Sequence, residues 1–189
     1  MKLHTTLNQI RSHNPCSNGW GKLLQHLRNT QADDELLSFA TILESNGFDD
    51  TLWCLRTVAG YDREIRLYAV WCARQVEHLD PSGVAKKTND VSERYAKGEA
   101  TEDELEAARA AAKGRGKELV AMATSWGDEE LVALGALGVA RAAARAARAA
   151  WVAGETAMAA AWAAREAARE AGAAVEAQKQ EFIKRFCTE

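Results

Sequence analysis

His13 and Cys16 form an HxxC pair, half of the ligand set of a tetrahedral zinc site. No second pair with ligand spacing follows, and a turn built on Asn14-Pro15 is the preferred reading of the residues. Cys72 would act as a nucleophile only beside a base. His78, the nearest histidine in sequence, lies almost two helical turns away, and a core cysteine is the alternative. Asp33-Asp34 and Asp49-Asp50 resemble paired carboxylates for acid–base work. Both pairs also fall where helix N-termini are expected, and acidic groups are stabilised there without catalysis. "KGRGKE" at Lys113 gathers three basic residues but lacks the strand that precedes a phosphate loop; a solvated helix junction explains it. Neither GxGxxG nor GxxxxGK[ST] occurs.

The side chains least demanded by folding are Arg141, Arg145 and Arg148, at i, i+4 and i+7 on one helical line. Lysine or glutamate would solubilise an exposed helix as well. Arginine suits planar, bidentate contact with carboxylates or phosphates. A solvated face with intramolecular glutamate partners is the competing reading. The ladder is the first partner-binding candidate, and Asp33, Asp34, Asp49 and Asp50 are the second. No residue is assigned a catalytic or metal-binding role, and no cofactor is expected.

These groups must be carried by helices. Only two prolines occur, and alanine with Arg and Glu dominates, a mixture that favours helix throughout. Thr5 to Ser12 reads as a short helix stopped at Asn14-Pro15. Asn18 caps a second, running to about Arg28 with Trp20, Leu23, Leu24 and Leu27 inward. "ADDELLSFATILESNG" reads as a helix capped by Asp33 or Asp34, its apolar face made of Leu36, Leu37, Ala40, Ile42 and Leu43, with Asn46-Gly47 as its stop. Asp49 is the expected next cap, with Phe48 and Trp53 as a hydrophobic staple. That helix runs to Val58. "DREIRLYAVWCARQVEHL" predicts a long helix from Asp62 to Leu79 with a wide apolar arc, ended by Pro81 and Gly83. A helix over Val84 to Ala96 follows, with Val91 and Tyr95 inward. "TEDE" from Thr101 to Glu104 is a capping box. Gly114 and Gly116 bracket an expected break.

Beyond this point bulky residues thin out. Residues 138 to 172 are more than half alanine, far longer than the roughly 15 residues at which isolated helices become viable. Trp151, Met158 and Trp162 form a stripe at i, i+7 and i+11, and Gly154 marks a turn between two alanine-rich helices or lies within one continuous helix. The expected fold is all-α: a multi-helix bundle or short helical array with a long alanine-rich helical hairpin at the C-terminus. Residues 1–100 form an N-terminal helical region, and residues 101–189 an alanine-rich region packed on it as one domain.

The net charge of −3 is too small to argue for nucleic-acid binding. It is unevenly placed: residues 1 to 106 carry 12 Lys/Arg against 17 Asp/Glu, and residues 107 to 189 carry 12 against 10. The four cysteines form no CxxC pair and read as reduced thiols of a cytoplasmic protein. No apolar run is long enough for a membrane span, and the first sixteen residues lack the apolar stretch of a signal peptide.

"REIRLYAVWCARQVEHL", "NDVSERYAKGEATEDELEAARAAA" and an Ala/Arg/Trp-rich tail follow one another in order. The series resembles alanine-rich proteins of bacteriophages and prophages, and more distantly immunity-type proteins of bacterial toxin systems. Ala69, Cys72 and Ala73 match one helix motif of that group, and Ala96 to Glu99 after Tyr95 match the next. The resemblance covers roughly residues 48 to 165 and carries no active-site residues. It implies a small helical protein that neutralises a protein partner, a toxin or a host defence complex such as CRISPR, by occlusion and without catalysis. A helical small-ligand or nucleotide-binding protein with enzymatic turnover, and a structural module that oligomerises through the alanine hairpin, are the other two readings.

Overall fold

The computed structural model describes residues 1–75, 77–123 and 174–188. Within them the chain is mostly helical, and the strand content is one two-residue pair. The elements form two compact units: residues 1–61 with 179–189, and residues 62–178. The expected boundary near residue 100 falls inside the second unit, between two helices that pack on each other.

In the first unit, β1 (His4–Thr5) pairs antiparallel with β2 (Leu37–Ser38), His4 opposite Ser38. The first helix therefore begins later than expected. α1 spans Leu7–Ser12, because Thr6 is extended and its hydroxyl accepts from Gln9 N at 3.1 Å. Asn14 takes a left-handed φ of 54°, a conformation asparagine tolerates, and turns the chain into α2 (Ser17–Leu27). The cap of α2 is Cys16 and not Asn18: the Cys16 Sγ accepts from Gly19 N at 3.4 Å.

The third helix departs most from expectation. Asp33 and Asp34 cap nothing, and Leu36 is 78 % exposed. Leu37 and Ser38 are drawn into the strand pair, so α3 (Phe39–Asn46) starts five residues after Asp34 with Ser38 as its cap. The face turned inward becomes Phe39 and Ile42, and Ala40 is exposed. Gly47 then adopts φ 86° and reverses the chain within a single residue. This leaves no room for Asp49 as a cap: α4 (Phe48–Cys54) opens at Phe48, with Asp49 and Asp50 in its first turn. A 3₁₀ turn at Leu55–Thr57 closes it.

Phe182 and Phe186 lie on the last turns of α8 (Ala174–Phe186) and anchor the core of this unit. Phe182 packs against Phe39, Phe48 and Phe186, with ring centroids 6.3, 5.6 and 5.1 Å apart. Phe48 thus belongs to this cluster. The backbone locks the same region: Leu3 N donates to Phe186 O at 2.8 Å, and Phe39 N donates to Leu3 O at 3.2 Å.

In the second unit, α5 spans Asp62–Arg74 and buries Ile65, Tyr68, Ala69, Val70, Cys72 and Ala73. It ends before the expected Leu79. Gln75 N donates to the carbonyl three residues back, and a separate 3₁₀ turn covers Glu77–Leu79. Asp80 supplies the next helix start: its Oδ2 accepts from Ala85 N at 2.8 Å, and its Oδ1 from Ser82 N and Oγ. α6 (Val84–Lys97) packs on both α5 and α7 (Glu102–Ala123). Leu105 of α7 is buried against Val91 and Tyr95. The capping box forms as the sequence predicts, Thr101 N donating to Glu104 and Glu104 N to Thr101 Oγ1. The break at Gly114 and Gly116 does not occur, since each interior glycine costs a helix only about 1 kcal/mol. Gln178 carries its backbone carbonyl to the Tyr68 hydroxyl at 3.1 Å.

Trp151, Gly154, Met158 and Trp162, and with them the alanine-rich hairpin, lie outside the described residues. No helix among the described residues is long and apolar enough to cross a membrane.

Candidate functional site

The first unit carries an open pocket of about 120 Å³ built from four helices. α2 contributes Gly19, Trp20 and Leu23, with Cys16 one turn before them, all on one helical face. α3 contributes Ile42 and Asn46, one turn apart, and α4 contributes Asp50, Trp53 and Cys54 with the same spacing. Ile10 and Pro15 complete the wall. Most of this lining is apolar, and it includes two tryptophans, Trp20 and Trp53.

One edge is polar and closely fitted. Asn46 Nδ2 donates both to Gly19 O at 2.8 Å and to Asp50 Oδ2 at 2.9 Å. The Asn46 carbonyl accepts from Ser45 Oγ, which fixes the amide's orientation. The Asp50 carboxylate lies so close to α2 that a Cβ at Gly19 would stand 2.7 Å from its Oδ2 and 3.2 Å from Cys16 Sγ. A side chain at 19 would thus have to displace the Asp50 carboxylate, although the backbone position itself is ordinary helix. Asp50 forms no ion pair with a described residue, and its Oδ1 makes no hydrogen bond among those described.

From the 3₁₀ turn that follows α4, the Arg56 guanidinium sits over the Trp53 ring at 4.1 Å from the centroid, and its Nε donates to Trp53 O at 3.0 Å. Together the two contacts hold the indole in place. Cys54 is 4 % exposed. Burial, reinforced by the Asp50 charge, pushes its thiol up to about 12. A thiol so placed carries almost no thiolate at neutral pH and is a poor nucleophile.

The sequence-derived candidates divide. Asp50 is at the pocket. Asp49 is on the exposed side of the same first turn. Asp33 is spent on its own loop: its carboxylate accepts from Asn29 Nδ2 at 2.7 Å and from Glu35 N at 3.2 Å, and its carbonyl accepts from Asn8 N at 2.9 Å. Asp34 is exposed. Arg141, Arg145 and Arg148 lie outside the described residues. Among the described residues, no group of three or more His, Cys, Asp and Glu side chains could hold a metal ion.

No family model, curated protein or solved structure matches the chain. The pocket therefore stands on its own geometry. Sequence reasoning placed Trp20 inward and Trp53 in a staple, but not the two together. The available signal was the i, i+3, i+4, i+7 series Cys16, Gly19, Trp20, Leu23, with a glycine where helix propensity would favour alanine.

Proposed function

We propose that the protein is a noncatalytic protein-binding inhibitor, phage-encoded and of the anti-defence or immunity type, that neutralises its partner by occlusion. The observation that carries this reading is the indole-walled pocket between α2 and α4. Tryptophan-rich, partly desolvated pockets are where protein interfaces concentrate their binding free energy. Size separates this reading from the small-ligand alternative. Pockets for drug-sized ligands run to about 300–1,000 Å³. This one, at about 120 Å³, is nearer the roughly 150 Å³ engineered cavity that takes up benzene. A space of that size suits one side chain. The raised Cys54 thiol argues in the same direction, since the buried nucleophile at the pocket is held in its unreactive form. Arg141, Arg145 and Arg148 are a second contact surface in this proposal, reaching acidic groups of the same partner through bidentate pairs.

Affinity capture from the host bacterium tests it. The expected result is a single protein or complex held at a fixed ratio and inhibited only up to that ratio. Inhibition far below one copy per target, with repeated turnover, would count for an enzyme.

A further inference from the structure

We infer that the pocket of the first unit receives an arginine side chain of the partner, stacked on the Trp20–Trp53 walls and paired with Asp50. The inference rests on the protein-binding reading above and names what that reading leaves open.

Asp50 stands at a wall that is otherwise mostly apolar, with one oxygen held by Asn46 and the other without a described hydrogen-bond donor. A purely apolar occupant would strip water from that carboxylate and return nothing, a large penalty for a charged group. The occupant must therefore bring a donor, and a cationic donor answers the charge as well as the lone pairs. It must also bring an apolar stem, because Leu23, Ile42 and Ile10 line the rest of the space. Two natural side chains combine an alkyl stem with a permanent cation, and the indoles separate them. Arginine stacks its planar guanidinium on aromatic faces and forks onto a carboxylate, whereas the lysine ammonium is compact and strongly hydrated.

The packing around Asp50 supports a prepared site. Asn46 aims the carboxylate through one bond and anchors it to the α2 backbone through another. Gly19 is the residue that permits this approach, since any Cβ there would collide with Oδ2.

The test uses the full chain and small probes read by amide and indole chemical shifts. n-Butylguanidinium stands for the arginine side chain, n-butylurea is its neutral analogue, and n-butyltrimethylammonium is a cation that cannot donate. The expected result is saturable shifts at Gly19, the Asn46 amide and the Trp53 indole with n-butylguanidinium. Binding should be at least about tenfold weaker for the urea and for the trimethylammonium, and weaker at high salt. Asp50→Asn, which keeps a carbonyl facing Asn46, should lower guanidinium affinity about tenfold and leave the helical spectrum unchanged. Gly19→Ala, which displaces the carboxylate, should weaken it similarly. Equal binding of n-butylurea would overturn the inference in favour of an apolar side chain, leaving the protein-binding reading intact. Tighter binding of the trimethylammonium, or no saturation with n-butylguanidinium up to tens of millimolar, would also overturn it. If Asp50→Asn fails to fold, the ranking of the three probes on the wild-type protein decides alone.

Discussion

Phe182 shows how much of the first unit depends on single side chains. It is fully buried and touches Phe39, Phe48 and Phe186. Truncation leaves a cavity ringed by aromatics that cannot collapse onto one another, so Phe182→Ala should destabilise this unit by about 3–5 kcal/mol, read from its denaturant midpoint. A shift under about 1 kcal/mol would mean that the cluster is not the core. Cys54 makes a different prediction. Its folded-state thiol is raised from 9.0 to about 12. A raised acid contributes stability that is fully present below the unfolded value and is lost as pH rises through the folded one. The first unit should therefore lose stability between about pH 9 and 12. Cys54→Ser, or better Cys54→Ala, should flatten that part of the profile. In the native protein the exposed Cys16 should alkylate well before Cys54, as mass spectrometry of a short iodoacetamide pulse would record.

At the scale of elements, local signals were legible where the chain satisfies itself over a few residues. The Thr101–Glu104 capping box and the stop at Gly47 needed no tertiary information, because each is closed by groups within a few residues. The third helix was not legible in the same way. Asp33 and Asp34 looked like caps by every local rule, yet pairing of Leu37 and Ser38 with residues more than thirty positions earlier set the helix start at Phe39. The pocket shares this character. Its halves carry helical spacings visible in sequence, but their meeting depends on the Asn46 bridge to Gly19, a contact between residues 27 apart. Gly114 gives a clean test of the unbroken α7. A Cβ there meets nothing within 4 Å, so Gly114→Ala should raise stability by about 0.5–1 kcal/mol in thermal melts. Destabilisation would restore the break that the sequence suggests. Between α5 and α6, Arg74 bonds Glu77, Asp90 and Glu93 at 3.2, 2.9 and 2.6 Å. Lys97, and then Arg74, hold the Glu93 carboxyl below its usual 4.5. A depressed carboxyl contributes stability above its unfolded value and loses it as pH falls through the folded one. The second unit should accordingly weaken below about pH 4.5, and modestly, since these groups are partly exposed and screened. Glu93→Gln should blunt that acid slope; an unchanged slope would remove the clamp from the account.

Taken whole, the molecule places its aromatic anchors, its fitted glycine and a carboxylate with an unused oxygen in the same unit, within one pocket of side-chain size. That concentration is what the inhibitor reading uses. The most direct measurement is a paired capture from host lysate on immobilised wild-type protein and on a Trp20→Ala, Asp50→Asn variant whose helical spectrum matches it, with retained proteins compared by quantitative mass spectrometry. The account predicts at least one protein held by the wild type and depleted about tenfold or more on the variant. The same proteins retained equally by both, or none retained by either, would contradict it.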